Sequence, residues 1–476
     1  MLKSLTRIIS AISVSALMLS CAYAQDSKAA LVSIDESVLK SSEIVINDGG
    51  KLTKNGDMYE KKSLFSDSDN TNPVISFGKQ DKNAIINMDM EFDFTDKSGG
   101  TTAFDGFQLR ASAQDKVCWT TDCYVVIIRE KSVEIQVFAS GANIFLLNRV
   151  CEIPKDKKVN VKTGAVDTKD GVYVFVKIDD QLFGALDRES RIKDGGYFNL
   201  EWRSDLMMYP TASDRDVIPK VTASYDAKND KIVTNTEFLT DKKAENVSYE
   251  WYISNDGYVN SKNDIVNLSE AFTLLDGENS ADLAVMEADI GKYAYVKATA
   301  DGVALNSEIV YISPADYLLN KGFVACVGYT GAIANGEKFV YDKDNKNVYA
   351  DVSSDGLAYL PIRAVADAYK MPVKWDDATR TVSIKISEES QTYETSFVVG
   401  EHGFVRLRNL MGSSMPGTTY ISENRTFLDT SATAQVLAYK YDFYDEVSGL
   451  IVLSNMKPNL NADDINALLY EVEDIK

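Results

Sequence analysis

Short runs in which apolar and polar residues alternate dominate the first two hundred residues of the chain. Residues 86–94 alternate strictly, with methionine and phenylalanine on one side and an acidic row of Asp89, Glu91 and Asp93 on the other. A period of two predicts a half-buried β-strand whose polar row faces outward. Further strands are predicted at 106–112, 124–130, 133–140, 171–178 and 195–203. Since no amphipathic helix separates them, the pattern predicts a two-sheet β-sandwich over residues 25–210.

A second predicted β unit spans residues 221–313. Its clearest strand is 247–252, in which Val247, Tyr249 and Trp251 share one face. The later segment 289–295, DIGKYAY, is similar to the tyrosine corner of immunoglobulin-like domains. This resemblance implies an immunoglobulin-like sandwich with Trp251 in its core.

The pattern changes in residues 320–455, where a helical period at 360–369 is followed by a predicted hairpin at 373–384. The same order returns 68 residues later, so that Leu360 aligns with Leu428 and Trp375 aligns with Phe443. We therefore predict an internal repeat. The tail, residues 456–476, is predicted to end in a helix that begins at Asn461 as its N-cap.

Three segments of the first unit resemble the concanavalin A-like and laminin G-like jelly rolls. They are 104–110 (FDGFQLR), 173–179 (YVFVKID) and 195–198 (GGYF). The resemblance covers residues 40–205 and implies a jelly-roll sandwich of the kind that secreted bacterial proteins carry.

Residues 360–366 (LPIRAVA) and 373–376 (VKWD), followed by a hairpin, closely resemble the copper amine oxidase N-terminal-like or stalk domain. The resemblance implies an α+β spacer or attachment unit. It does not imply amine oxidation, because that chemistry needs three copper-binding histidines and this chain has only His402. The fold class expected for the whole chain is mainly β: jelly roll, immunoglobulin-like sandwich and α+β repeat.

Charge narrows the classes of function. The 476 residues carry a formal net charge of −21, which disfavours binding to nucleic acid and to anionic membranes. The single histidine disfavours His-based triads and metal sites.

The first 24 residues have the layout of a secretory signal peptide, with Lys3 and Arg7 before an apolar run and Ala22-Tyr23-Ala24 at its end. Cleavage after Ala24 is favoured over lipidation of Cys21 and over an uncleaved anchor. We therefore expect a secreted or cell-surface protein.

Four cysteines remain after such cleavage, namely Cys118, Cys123, Cys151 and Cys326. In an oxidising compartment we favour a local disulfide, either between Cys118 and Cys123 or between Cys123 and Cys151. The second prediction for these cysteines is that they are buried thiols, and the third is that they bind a metal.

The acidic row supplies one candidate for catalysis. Glu91, Asp93 and Asp96 are similar to the Glu-x-Asp-x-x-Glu signature of laminarinase-type glycoside hydrolases, with an aspartate in the last place. That resemblance implies Glu91 and Asp96 as a catalytic pair. A solvated polar face is the favoured alternative, and a calcium or sugar-hydroxyl contact is the other.

Aromatic side chains supply the candidates for sugar stacking, namely Phe107, Trp119 and Tyr124. Trp119 is preferred because segment 118–123, CWTTDC, is typical of a turn, where a ring often faces solvent.

The function that we expect is a secreted, non-catalytic bacterial surface protein whose jelly roll binds extracellular polysaccharide or cell-wall glycan. A glycoside hydrolase and a structural adhesion or assembly subunit with surface-protein partners stay open as alternatives. No cofactor is expected, and calcium is the one ion that the sequence leaves open.

Overall fold

The computed structural model describes residues 29–47, 50–61, 72–95, 103–211, 218–239, 246–260, 266–354, 356–388, 391–400, 405–406, 414–415, 418–473 and 475. The predicted signal peptide, Cys21, Asp96 and His402 lie outside the described residues. The mainly β fold class that the sequence predicts is confirmed, with antiparallel sheets in each of three successive units.

The first unit is a sandwich of two sheets. Its elements are β1 (Ala30–Ser33), α1 (Glu36–Ser41), β2 (Glu43–Ile46), β3 (Thr53–Asn55), β4 (Met58–Lys61), β5 (Val74–Gln80), β6 (Ala84–Phe92), β7 (Asp105–Ala111), β8 (Cys123–Arg129), β9 (Ser132–Ala139), β10 (Ala142–Val150), β11 (Val159–Thr168), β12 (Gly171–Ile178), β13 (Gln181–Asp187), β14 (Gly196–Trp202) and β15 (Leu206–Tyr209). Sheet one has the order β13-β12-β11-β6-β15-β4-β3, with β1 parallel to β6, and sheet two has the order β10-β9-β8-β7-β14-β5-β2.

The core of the first unit lies between the two sheets. Sheet one contributes Met88, Met90 and Phe92 from β6, as the alternation predicts, and sheet two contributes Leu109 and Trp202. Burying such large apolar side chains stabilises the sandwich by about 1.5–3 kcal/mol each.

Arg110 joins the two sheets at their edge. Its guanidinium, 3% exposed, donates to the carbonyls of Ala165 (2.9 Å from Nη2) and Ile192 (2.8 Å from Nη1), and to that of Lys82. Nη2 also lies 2.8 Å from the Asp167 carboxylate. Because Arg110 belongs to β7 of sheet two and Ala165 to β11 of sheet one, the side chain links the two sheets by satisfying a buried carbonyl of the opposite sheet.

The second unit has β16 (Pro219–Asp226), β17 (Lys231–Phe238), β18 (Ser248–Ser254), α2 (Leu268–Ala271), β19 (Phe272–Leu274), β20 (Leu283–Ala284), β21 (Tyr293–Ala300), β22 (Val303–Asn306) and β23 (Val310–Tyr311). They form the sheets β16-β17-β20 and β19-β18-β21-β22, with β23 beside β21. Trp251 is fully buried and its Nε1 donates to the Ser280 carbonyl at 2.8 Å, so the prediction that it is a core residue is confirmed.

The first and second units share one apolar core. Tyr173 and Phe175, on the outer face of sheet one, belong to the same buried cluster as Trp251 and Val296. The fully buried Lys220 ammonium lies 3.0 Å from the Asp170 carboxylate of the first unit and 2.9 Å from that of Glu237, and Arg188 pairs with Glu308. Packing and paired charge therefore hold the second unit on the outer face of sheet one.

The third unit has α3 (Pro314–Lys321), β24 (Phe323–Cys326), β25 (Gly331–Ala334), β26 (Glu337–Val340), β27 (Asp351–Val352), β28 (Ala358–Pro361), α4 (Ile362–Ala368), β29 (Val373–Asp376), β30 (Thr381–Glu388), β31 (Gln391–Val398), β32 (Val405–Arg406), β33 (Ser414–Met415), β34 (Thr419–Ser422), β35 (Arg425–Asp429), α5 (Thr430–Val436), β36 (Tyr441–Asp445), β37 (Leu450–Ser454) and α6 (Ala462–Glu473). Its sheets are β26-β25-β24-β37-β36, β27-β28-β35-β34 and β29-β30-β31-β32-β33.

The internal repeat is visible in the third unit. Helices α4 and α5 begin and end 68 residues apart, and so do the starts of β24 and β31, of β26 and β32, and of β27 and β34. Strand β28 pairs antiparallel with β35, and Leu360 lies opposite Leu428, its own equivalent. The two copies are thus related by an approximate two-fold axis.

The two copies are also intertwined. The first strand of the first copy, β24, pairs with the hairpin β36–β37 of the second copy, and β31 of the second copy pairs with the hairpin β29–β30 of the first. Neither copy completes a sheet alone, so the repeat is one folding unit.

Arg110→Met should lower the free energy of unfolding by about 3–5 kcal/mol, because three backbone carbonyls and the Asp167 carboxylate lose the Arg110 guanidinium as a donor. Urea unfolding followed by circular dichroism measures the change. Arg363→Met, at an exposed arginine of α4, should shift it by less than about 0.5 kcal/mol. Equal effects of the two changes would contradict the role of Arg110.

Candidate functional site

Trp119 lies on a short 3-10 turn, Cys118–Thr120, between β7 and β8. Its side chain is 46% exposed, whereas Cys118 before it and Cys123 after it are buried. The Thr120 amide donates to the Val117 carbonyl at 3.0 Å and closes the turn. Of the three aromatic rings predicted to stack on sugar, this one faces solvent.

Three polar side chains on the outer face of sheet two hold the segment that carries Trp119. Glu201 on β14 accepts from the Cys118 amide at 2.9 Å through Oε2. Gln108 on β7 donates to the Lys116 carbonyl at 3.1 Å, and Asn199 on β14 donates to the Ala113 carbonyl at 3.0 Å. The segment is therefore fixed to the sheet at three points before and beside the ring.

The three anchoring side chains are fully buried and bonded to one another. Gln108 Nε2 donates to Glu201 Oε2 at 2.8 Å, and Asn199 Nδ2 donates to Gln108 Oε1 at 3.0 Å. Asn72, which precedes β5, donates to the other oxygen of Glu201. Because each member restricts the rotamer of its neighbour, the network sets the position of the turn.

Burial raises the pKa of Glu201, although the hydrogen bonds from Asn72, the Cys118 amide and Gln108 favour the ionised form. We name the group of Asn72, Gln108, Asn199 and Glu201 the anchor network. Its four members are buried and are hydrogen-bonded to one another and to backbone groups of segment 113–118, so the network holds the turn that carries Trp119.

The structure corrects the assignment of Phe107 and Tyr124 as ligand contacts. Both side chains are 0% exposed, and both belong to the core between the sheets. The Tyr124 hydroxyl donates to Asp187 at 2.7 Å inside that core. Their alternation places them on the inner face, together with Leu109 and Val126, so neither can stack on a sugar ring.

The cysteines are thiols in the structure, and none of the disulfides predicted among Cys118, Cys123 and Cys151 is formed. Cys118 and Cys123 pack with Val125 and Ile127 in a small cluster on the outer face of sheet two. Burial raises the pKa of both thiols, and it raises that of Cys151 to about 12. Cys118 and Cys123 act as small apolar residues beneath the turn, whereas Cys151 packs against the core between the sheets.

The acidic row of β6 is engaged in separate contacts. Glu91 accepts from the Tyr209 hydroxyl at 2.9 Å, and Asp93 accepts from the Thr95 hydroxyl. Asp89 accepts from Asn160 at 2.8 Å and pairs with Lys158 at 3.3 Å. Since Asp96 lies outside the described residues, the separation of the Glu91 and Asp96 carboxylates is not defined, and the hydrolase pair stays a prediction.

Asp105, at the start of β7, is a buried acid that the sequence pattern does not reveal. Its carboxyl is 0% exposed and accepts from the Ser204 hydroxyl at 3.1 Å. Burial raises its pKa to about 8, the Ser204 hydrogen bond opposes that shift, and the nearby Asp93 charge adds to it.

In the part of the chain that the structure describes, no three His, Cys, Asp or Glu side chains come together as a metal-binding group. Within the same residues, no helix is long and apolar enough to span a membrane.

One family model matches part of the third unit. Residues 333–452 match the copper amine oxidase N-terminal domain, which confirms the resemblance seen in the repeat. No curated protein matches the sequence.

Two solved structures that resemble the chain are carbohydrate-binding modules. One is the module CBM66 from Bacillus subtilis, at 16% identity and a TM-score of 0.26, covering 38% of this chain and 97% of that one. The other is the CBM2 module of the evolved Dit protein of Lactobacillus casei BL23 phage J-1, at 10% identity and a TM-score of 0.22, covering 35% of this chain and 82% of that one. Both TM-scores are too low to assign a fold or a ligand to this chain.

Glu201→Gln should loosen the Trp119 turn and lower the free energy of unfolding by about 1–3 kcal/mol. The amide keeps one acceptor oxygen, so at least one of the donors Asn72, Gln108 or the Cys118 amide loses its partner. Hydrogen exchange of segment 112–122 should become faster. Glu91→Gln, on sheet one, is the matched control and should leave that segment unchanged; equal exchange in both variants would refute the anchoring role.

Asp105→Asn should flatten the dependence of stability on pH. Because the folded pKa is raised from 3.8 to about 8, this group contributes stability that is fully present below pH 3.8 and is lost as the pH rises through 8. Urea unfolding at intervals from pH 4.5 to pH 9 measures the slope. A slope that is identical in the variant and the wild-type chain would show that Asp105 is not the titrating group.

Proposed function

We propose that the chain is a non-catalytic, secreted or cell-surface protein that binds polysaccharide or cell-wall glycan through its first unit. The observation that carries the proposal is an exposed Trp119 ring on a turn fixed at three points by the buried anchor network. The other two aromatic side chains predicted to contact ligand, Phe107 and Tyr124, are buried.

A tryptophan ring suits a sugar because the apolar C–H face of a pyranose stacks on an aromatic face. A ring held in place before binding loses little conformational freedom when the ligand arrives, and that cost otherwise reduces affinity. The anchor network thus supports binding by keeping the platform rigid.

Net charge favours an uncharged polymer. At −21 the chain repels phosphate-bearing and other anionic polymers at long range. Neutral polysaccharides, which offer hydroxyl groups and C–H faces, are therefore the class of ligand that fits Trp119 best.

The outer face of sheet one is a poor alternative for binding. Around Tyr173 and Phe175 it is covered by the second unit, which packs on it in a shared core. The turn with Trp119 belongs to the opposite sheet and is not part of that interface.

Trp119→Ala in the full chain should weaken glycan binding at least about tenfold, because loss of the ring removes about 1.4 kcal/mol or more of stacking and apolar contact. A glycan array and a pulldown on insoluble neutral polysaccharides, each with and without calcium, measure binding. Tyr470→Ala, at an aromatic side chain that is 65% exposed on α6, is the control and should bind normally.

The same samples are assayed for released reducing sugar. Binding without release supports the proposal. Release that Glu91→Gln abolishes would overturn the non-catalytic part of it, and binding that survives Trp119→Ala unchanged would overturn the site.

A further inference from the structure

Strand β29 forms an open edge of the third unit. It is the terminal strand of the sheet β29-β30-β31-β32-β33, and the described residues place no strand on its other side. The Lys385 amide donates to the Pro372 carbonyl at 3.0 Å, which fixes the phase of the β29–β30 ladder. Hydrogen-bonded pairs alternate in such a ladder, so the backbone groups of Val373 and Trp375 point away from β30, toward the open edge.

Trp375 extends the apolar face of this sheet to the edge. It lies directly opposite Val382, a buried core residue, and opposed side chains share one face of a sheet. Trp375 is 37% exposed, so part of its apolar surface is left in contact with solvent at the edge. Lys374 and Asp376 lie on the other face of the strand, and both are exposed.

We propose that β29 is a dimerisation edge, at which a second copy of this chain pairs antiparallel about a two-fold axis through Trp375. In this register Trp375 faces its own equivalent, and Lys374 of each copy faces Asp376 of the other. The sequence of the edge is thus complementary to itself, with two opposite-charge pairs.

The hydrogen-bonding phase agrees with that register. Trp375 has its backbone groups toward the open edge, so the two central residues form a hydrogen-bonded pair. Lys374 and Asp376 then form non-hydrogen-bonded pairs, in which the Cα atoms are about 4.5 Å apart and side chains are closest. Asp376 Oδ1 accepts from the Ala378 amide at 3.0 Å, which orients the carboxylate before pairing.

The equivalent edge of the second copy of the repeat lacks this complementarity. Strand β36 is also terminal in its sheet, and Asp442 is the counterpart of Lys374. Pairing of β36 with itself about Phe443 sets Asp442 against Tyr444, and pairing of β29 with β36 sets Asp376 against Asp442. The charges therefore favour pairing of β29 with β29 over pairing of β36 with itself or of β29 with β36.

Such a dimer carries two Trp119 turns. On a repeating polymer, two linked sites bind more tightly than one, by up to about 10²–10⁴-fold where the geometry allows both to engage. The dimer itself does not depend on glycan binding and is tested without any ligand.

Sedimentation velocity of the full chain over a concentration series, at low and at high salt, measures the dimer. Lys374→Glu and Asp376→Lys should each weaken dimerisation at least about tenfold, because both charge pairs become repulsive in a homodimer. An equimolar mixture of the two variants should restore dimers, since every opposed pair is again attractive. Asp442→Asn, at the exposed counterpart of Lys374 on β36, creates no attraction to Asp376 and should leave the dimer unchanged.

Restoration by mixing also shows that the variants are folded, because a misfolded chain would not regain a partner. The proposal is overturned if the wild-type chain is monomeric up to its solubility limit, as it would be if Lys374 only protected the edge from pairing. It is also overturned if the single variants dimerise normally or if their mixture stays monomeric.

Discussion

The buried carboxylate of Glu201 sets the geometry of the face that carries Trp119. A carboxylate removed from water needs hydrogen-bond donors, and here the donors come from three places: Asn72 before β5, Gln108 on β7 and the Cys118 amide in the turn. Breaking the hydrogen bond from any one of these donors would leave a buried polar group unsatisfied, which costs about 1–3 kcal/mol of stability. The turn and the two strands are therefore held in one arrangement. The position of the exposed Trp119 ring depends on the Glu201 carboxylate, which is itself buried.

The outer faces of the two sheets in the first unit are used differently. Sheet one presents Tyr173 and Phe175 to the second unit, with Lys220 paired between carboxylates of both units at the margin. That packing is a core rather than a flexible linker, so the first unit cut out alone would expose a large apolar surface to water. For this reason the full chain, rather than the isolated first unit, is the suitable sample for binding experiments.

Local periodicity predicted much of the fold, and contacts between distant residues account for what it missed. Period-two alternation placed β6 correctly, the helical period at 360–369 predicted α4, and the 68-residue offset predicted α5. The same alternation, followed in phase, would have placed Phe107 in the core, since Phe107 and Leu109 alternate with Gly106 and Gln108. Tyr124 lies in the continuous apolar run 123–128, in which alternation does not distinguish the two faces. Gln108 and Glu201 look like solvated polar positions until β7 is paired with β14, because 93 residues separate them in the chain. No local pattern reports such a pairing.

Duplication gave the third unit two equivalent edge strands, and every open edge exposes unpaired backbone groups that can pair with another chain. The two edges have since diverged in charge. Around Phe443 the second edge carries Asp442 and Asp445 with no cation between them, whereas around Trp375 the first edge alternates Lys374 with Asp376. Because side chains repeat every two residues along a strand, only a register centred on Trp375 brings these opposite charges together, and a shift of one residue would move Trp375 to the face of the charges. A symmetric backbone thus presents two edges of different specificity, and that difference comes from a few side chains rather than from the fold.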